Sequence, residues 1–481
     1  MFDKLQNLFY NYYNHIFSKK NKNHNRVNNI INHLIENNNQ YLRDCNNCVY
    51  HNNCNGIIDI EDSNKLQNNI IVNNLLKNQL KRTLKYHNCN FGLPGYFFRN
   101  NEIFRAEMKY IFHKQWLFAG HTLELPEIGN YITLNVGLCP IVIIKSKNGD
   151  IKAYHNVCRH RGLKLFEDNS GKIETQNIKC LYHGWSYDTN NGNLKFARDM
   201  DENKAFNPEN YSLFKVNIKI VNTYMYVCIA DNPTDFNQFY ETLKYYTEPY
   251  SLNKTKIAYQ SRIIEKANWK LVWENNRECY HCILNHPELT QSFPGNWVQS
   301  KDGDFSKKEN KELMKELNLP YDYNSGPNFE YRFMRHMFVK DSISMTMNGK
   351  PAIKNNKTLG RIPSLVNIGN VAFYNYPSTW NHLQGDYAIS FRVSPISCGE
   401  TEVITTWLVP DDAIENIDYV LKELTEVWIA TNEQDQMLVE KVQKGVSSTA
   451  YIPGPFNEKH EMGVIEFNEW YKDIMFKNLK I

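Results

Sequence analysis

The chain has 481 residues, 42% of them hydrophobic and 13% aromatic, with a formal net charge of +3. That length suits two or three domains with sizeable cores, and so small a charge gives no support to a nucleic-acid partner. No apolar run approaches the roughly 18 residues that a membrane span needs. Eleven cysteines, an odd number, point to a reducing compartment and metal chemistry rather than a disulfide scaffold. A cytoplasmic protein is expected. The Lys-rich start lacks a secretory apolar segment, which leaves a mitochondrial location as the second option.

Residues 1–90 are dense in Asn and Lys and predict a solvated, partly helical or disordered extension. Inside it, Cys45, Cys48, His51 and Cys54 follow C-x2-C-x2-H-x2-C. Four soft ligands could hold zinc, although ligands this crowded leave little loop to wrap a tetrahedron. Regular structure is expected from Leu93-Pro94-Gly95 onward. The spacing of Ile103, Met108, Ile111 and Phe112 predicts a helix over 102–115. Alternation at 131–136 and the Asn148-Gly149 turn between 141–144 and 151–154 predict antiparallel strands. A small β domain over 115–235 follows.

That domain carries Cys158-Arg-His160 and Cys180-Leu-Tyr-His183, two Cys-His pairs separated by 19 residues. Two thiolates on one iron and two imidazoles on the other make a Rieske [2Fe-2S] centre, whose neutral imidazoles raise the potential. Zinc also accepts Cys2His2, but its sites usually open with C-x2-4-C and close with H-x3-5-H. Here each pair mixes the two ligand types beside a turn-forming glycine, Gly162 or Gly184.

From about residue 240 the pattern turns to mixed α and β, with strands over 257–264, 371–375, 387–393 and 402–408 and helices near 268–285 and 416–444. An α+β class is expected: a curved antiparallel sheet holding a long C-terminal helix, formed by 93–114 with 236–481. Within the first helix, Glu278, His281 and His286 follow E-x2-H-x4-H. Glu278 and His281 would share a helix face. His286 lies about 140° further round an ideal helix, so both imidazoles reach one metal only if the helix breaks. Pro287 favours that break. On the second helix, Leu424, Trp428, Thr431, Asp435, Leu438 and Val442 form one stripe. A carboxylate in an apolar stripe needs a cation, and two His with one carboxylate make the facial triad of non-haem Fe(II). The alternatives are a core Asp bonded to a neighbour and two helix-capping His.

C-R-H-R-G at 158–162, C-L-Y-H-G-W at 180–185 and E-C-Y-H-C at 278–282 resemble the catalytic α subunit of Rieske non-haem iron oxygenases, over roughly residues 93–475. The resemblance implies that Cys158, His160, Cys180 and His183 bind the cluster and that His281, His286 and Asp435 bind mononuclear iron. It makes Glu278 the acid bridging His281 to His183 of a neighbouring subunit in a homotrimer. It also implies O2 as co-substrate and electrons from NAD(P)H through a separate reductase or ferredoxin. Glu at 278, W-K-L-V-W-E-N-N at 269–276 and Y-I-P-G-P-F at 451–456 are similar to the glycine-betaine demethylase and choline monooxygenase subset. Respiratory Rieske proteins carry two further cysteines over the cluster, where Leu163 and Tyr182 stand here. A quaternary ammonium has no N–H to donate, so ring faces should hold it. Tyr374, Tyr376 and Trp380 are the candidates, with ordinary core packing as the alternative. An aromatic, sterol or porphyrin-like substrate, or a non-catalytic electron-transfer role, are the competing functions.

Overall fold

The computed structural model describes residues 74–293, 308–339, 341–363 and 366–479. Cys45, Cys48, His51 and Cys54 lie outside the described residues. Regular structure was expected from Leu93-Pro94-Gly95 onward. A helix spans Asn74–Tyr86, with Leu80 and Leu84 fully buried one turn apart. That pair anchors a helix inside the segment read as a partly helical extension, ahead of the expected start of regular structure at Leu93.

Two seven-stranded sheets organise the rest. The first holds β1 (Leu117–His121), β2 (Asn130–Val136), β3 (Cys139–Lys145), β4 (Ile151–His155), β5 (Ser170–Lys172), β9 (Lys215–Val221) and β10 (Tyr224–Cys228), in the order β1-β10-β9-β4-β3-β2-β5. A separate three-stranded sheet follows β5: β6 (Asn177–Lys179), β7 (Ser186–Asp188) and β8 (Leu194–Phe196). The second large sheet is antiparallel throughout, in the order β11-β17-β16-β15-β14-β13-β12. Its members are β11 (Thr255–Glu265), β12 (Asn324–Ser325), β13 (Tyr331–His336), β14 (Asn370–Asn375), β15 (Thr379–Leu383), β16 (Ala388–Ser397) and β17 (Glu400–Pro410).

Three helices position the site on this sheet: α1 (Trp269–Asn276), α2 (Leu421–Val446) and α3 (Met462–Asn478). Asn268 caps α1 by accepting from Lys270 N. A buried ion pair pins the helix, with Lys270 Nζ 2.6 Å from Glu107 Oε1 and both side chains at 0% exposure. Trp269 Nε1 and Tyr471 OH also donate to Glu107, so no lone pair of that carboxylate is wasted. α2 lies on the sheet through Asn432 Nδ2 to Thr405 Oγ1 and Gln436 Nε2 to Ile264 O.

Three local expectations change. The helix expected over 102–115 is α-helical only over Asn101–Glu107 and widens into a π turn over Met108–Phe112. The helix expected over 268–285 ends at Asn276, and one helical turn resumes at Cys282–Asn285. The stripe on α2 drifts, so that Val442 is 46% exposed while Val439 and Val446 are buried. A straight helix turns 3.6 residues at a time and leaves a strict four-three repeat behind.

Candidate functional site

The cluster residues sit on two loops of the same construction. In the first, Cys158 N donates to Leu163 O and Gly162 N to Cys158 O. In the second, Cys180 N donates to Trp185 O and Gly184 N to Cys180 O. Both glycines adopt positive φ, +74° and +75°, which lets the chain reverse four residues after each cysteine. The thiols of Cys158 and Cys180 are buried, and the rings of His160 and His183 lie with centroids 4.7 Å apart. His160 stacks on Trp185 at 4.7 Å and 6°, and His183 stacks on Tyr182 at 3.9 Å. Tyr187 OH lies 3.2 Å from Cys158 Sγ and accepts from Arg159 N.

The donor set fits a Rieske cluster. His160 Nδ1 and His183 Nδ1 are both buried with no hydrogen-bond partner among the described residues, a costly arrangement unless each has a metal to bind. Burial, together with the charges of His183 and Arg161, lowers the pKa of His160 and keeps it neutral, the form that ligates. Leu181, between the two ligands of the second loop, is 87% exposed.

The second constellation forms where α1 gives way to a turn. Glu278 and His281 are therefore not on a helix face as the periodicity predicted. The Glu278 carboxylate accepts from the backbone N–H groups of Tyr280 and His281. This side-chain cap offers the chain an alternative to helical bonding and starts a new turn. Gly463 packs so closely below that a Cβ there would meet Arg277 O at 2.2 Å. His286 follows the single turn at φ −124°, outside helical geometry, and so comes round to face His281.

His281 Nε2 and His286 Nε2 are 3.0 Å apart. Asp435 Oδ1, from α2, lies 3.3 Å from the first and 3.0 Å from the second. Donors about 2.1 Å from one ion and at right angles to each other sit about 3 Å apart, so the triad fits a single octahedral metal. Each imidazole is oriented through its other nitrogen. His281 Nδ1 is 2.5 Å from Glu278 Oε1, and His286 Nδ1 is 2.7 Å from Gln434 Oε1. Gln434 is itself held by its Nε2 donating to Glu288. Such bonds fix the tautomer and aim Nε2 at the metal. Burial acts to lower both imidazoles, but Asp435, and Glu278 for His281, outweigh it: His281 is raised to about 9 and His286 is raised as well. Burial pushes Asp435 up, and the two imidazoles more than reverse that.

Cys282 also lies near the two imidazoles. It is joined to Cys279 in a disulfide, which removes the thiolate a metal would need.

A cavity of about 240 Å³ opens on the triad. Two rows of the second sheet wall it, as cross-strand neighbours on one face. Arg332, Tyr374 and Trp380 are paired in register across β13, β14 and β15, and Met334, Ala372 and His382 form the next row. Trp428 of α2 completes the wall against His382, at 4.9 Å. Of the aromatics singled out from sequence, Tyr374 and Trp380 line the cavity; Tyr376 does not. Tyr376 is 1% exposed and packs behind the wall on Trp273, Phe467 and Trp470. No residue of the cluster loops reaches the cavity.

Sequence reasoning missed Gln434, Asn275 and Arg277. Asn275 Nδ2 is 3.4 Å from His281 Nε2. Gln434 stands next to Asp435 in Thr431-Asn-Glu-Gln-Asp435, but its role depends on facing His286 across the fold, which no local pattern shows.

Two family models match, "Rieske [2Fe-2S] domain" over residues 115–218 and "Ring hydroxylating alpha subunit (catalytic domain)" over residues 234–477. The glycine betaine monooxygenase oxygenase subunit of Pseudomonas aeruginosa is 40% identical over 82% of this chain and 92% of its own length. That of Chromohalobacter salexigens is 38% identical over 82% of this chain and 88% of its own. Among solved structures, a quaternary ammonium Rieske monooxygenase in complex with L-carnitine superposes with a TM-score of 0.61 at 22% identity, over 80% of this chain and 95% of that one. With a Rieske domain followed by a ring-hydroxylase catalytic domain, and relatives of this identity along most of its length, the chain belongs to the Rieske non-haem iron oxygenases as their catalytic oxygenase subunit, a family whose members use a [2Fe-2S] cluster and mononuclear iron.

Proposed function

We propose that this oxygenase N-demethylates a small quaternary ammonium compound, with glycine betaine the first choice. The 40% identity to glycine betaine monooxygenase oxygenase subunits along nearly their whole length carries the reading. The cavity supports it, with Trp380 and Trp428 offering ring faces to a cation that cannot be hydrogen-bonded.

In this reading Cys158, His160, Cys180 and His183 hold the cluster, and His281, His286 and Asp435 hold the iron. When bound, the two groups supply electrons one at a time and activate O2. The chain's own residues do the rest. Glu278 takes the Nδ1 proton of His281 in a hydrogen bond and presents its carboxylate to His183 of a neighbouring subunit. The cluster loops are absent from the cavity wall, which favours donation between subunits and a closed ring, most simply a trimer. A separate reductase, in keeping with the "oxygenase subunit" naming of the relatives, brings electrons from NAD(P)H. The exposed Leu181 and half-exposed Tyr182 beside the cluster offer it a docking point.

The reaction balances as follows. One oxygen atom enters an N-methyl C–H bond and the other leaves as water, with two electrons from NAD(P)H and two protons. The resulting hydroxymethyl ammonium breaks its C–N bond to give formaldehyde, the tertiary amine and a proton. Purified protein with a Rieske reductase, NADH, O2 and glycine betaine should release formaldehyde and dimethylglycine in equal amounts. NADH oxidation without either product sinks the reading.

A further inference from the structure

The charged groups around the cavity are not all accounted for by the iron site. Glu278 and Asp435 are engaged by the two imidazoles. Arg332 is neutralised by Glu466, with Nη2 2.5 Å from Oε2. Arg277 is different. Its guanidinium carbon lies over Tyr374, 4.0 Å from the ring centroid, and 5.6 Å from that of Trp273. Nη2 donates to Asn276 Oδ1 at 2.8 Å and, more weakly, to Asn276 O at 3.4 Å. Nε is buried with no partner, and no carboxylate stands within ion-pair distance among the described residues. The side chain lines the cavity. Its charge also reaches across it: after burial, Arg277 is the cause that lowers the pKa of His382 on the facing row.

A guanidinium held only by a neutral amide has no counter-ion, and one that is partly covered gains from an anion beside it. One part of that need is met locally. Arg277 ends α1, where a cation complements the helix dipole. The rest calls for an anion in the cavity. Asn276 engages Nη2, so the N–H groups left for a ligand are those of Nη1, which can donate a charge-assisted hydrogen bond to a carboxylate.

We propose that Arg277 binds the carboxylate of the substrate and selects a betaine over an uncharged-end quaternary amine such as choline. This rests on the quaternary-ammonium reading above and deepens it. The two ends of the zwitterion then meet opposite chemistry: the ammonium the ring faces of Trp380 and Trp428, the carboxylate the guanidinium. Tyr374, offered from sequence as a wall for the ammonium, instead braces Arg277 with its face.

The test compares glycine betaine with betaine amide and choline, which keep the trimethylammonium and lose the carboxylate. A charge-assisted hydrogen bond is worth a factor of about 10 to 100. Wild-type kcat/KM should therefore favour glycine betaine over betaine amide by at least about 10-fold, measured as formaldehyde release. Arg277→Met should raise KM for glycine betaine by about 10- to 100-fold, with iron content and cluster absorbance kept, so that the ratio between acid and amide collapses. Arg277→Lys, which retains charge without the fork, should fall between. A wild-type enzyme that takes the amide as readily as the acid overturns the assignment even if the variants fail to fold. So does Arg277→Met with an unchanged KM and an unchanged ratio. A wild type that releases formaldehyde from none of the three overturns the quaternary-amine reading itself, a result distinct from either.

Discussion

The two regions of this molecule proposed to bind metal are built in opposite ways. The cluster loops are local. Each runs five residues from its cysteine to its glycine, closes on its own backbone hydrogen bonds, and stands on a β domain with its own core of Tyr131, Val142, Tyr154 and Trp185. The iron site is assembled from afar. His281 and His286 come from the turn after α1, Asp435 from α2, and 148 residues separate His286 from the Gln434 that orients it. A local site depends on its own few residues. A tertiary site depends on everything that positions the two elements, and it is the more exposed to change in the core.

The largest effects should separate the two regions cleanly. Asp435→Ala should abolish formaldehyde release and the mononuclear iron while leaving cluster absorbance intact. His160→Ala should lose the cluster spectrum while Fe(II) still binds at the triad. Iron analysis beside visible absorbance reads both. Full turnover by an Asp435→Ala protein with complete iron would sink the triad. Mixing the two dead proteins sharpens the contrast: if subunits exchange, one chain's intact cluster can serve another's intact iron, and activity should return. A mixed oligomer that forms and stays inactive argues against donation between subunits.

Glu278→Gln comes next. The amide has the carboxylate's shape, so both metals should remain. It lacks the charge that polarises His281 Nδ1, 2.5 Å away, and that would engage a cluster imidazole. Single-turnover oxidation of the reduced cluster should slow by at least about 10-fold, the low end for loss of an orienting partner. Unchanged cluster oxidation with unchanged product yield would remove Glu278 from the electron route.

How much of this was readable from sequence follows the same contrast. Cys158, His160, Cys180 and His183 were legible as a set because their spacing is the structure: a loop closed four residues on needs only a glycine there. Asp435 was legible as a carboxylate among Leu424, Trp428 and Thr431 on a helix face. The periodicity misplaced Glu278 and His281, because the Glu278 carboxylate accepts from the N–H groups of Tyr280 and His281 in place of helical bonding. Tyr374 and Tyr376 share strand parity and read alike. β14 stops at Asn375, and only Tyr374 stays in register with Trp380 at the cavity. Arg277 carries no local signal at all; the role proposed for it rests on there being no carboxylate within ion-pair distance among the described residues, which only the packed structure reveals.

Smaller effects test whether the core, rather than the loop, sets up the iron site. Lys270→Met strands Glu107 as a buried charge and should cost on the order of 3 kcal/mol. Iron affinity should weaken before cluster absorbance does, since Lys270 anchors the helix that leads into Glu278 and His281. Thermal melts followed at the cluster band, beside Fe(II) titration, separate the two. Equal loss at both sites would mean that the β domain leans on this helix as heavily as the triad does.

Glu274 gives the finest probe, because it works through pH alone. It stands one turn beyond Lys270, and its Oε1 is out of water without a hydrogen-bond partner among the described residues. Burial pushes its pKa up to about 8, opposed by Lys270 and reinforced by Glu461. The sign is fixed by proton counting. Between an ordinary glutamate value and about 8 the folded chain keeps a proton that the unfolded chain has released, so stability falls as pH rises through that window and reaches its low plateau above it. Glu274→Gln keeps the shape and removes the ionisation. The variant and the wild type should therefore melt together near pH 5 and part as pH rises, with the variant several degrees higher at pH 9 when scanned at one rate. The cluster spectrum should not follow, since its loops close on their own backbone. Parallel pH profiles for wild type and variant would show that the ionised carboxylate finds water, and that the helix feeding the iron site is looser than its buried anchor implies.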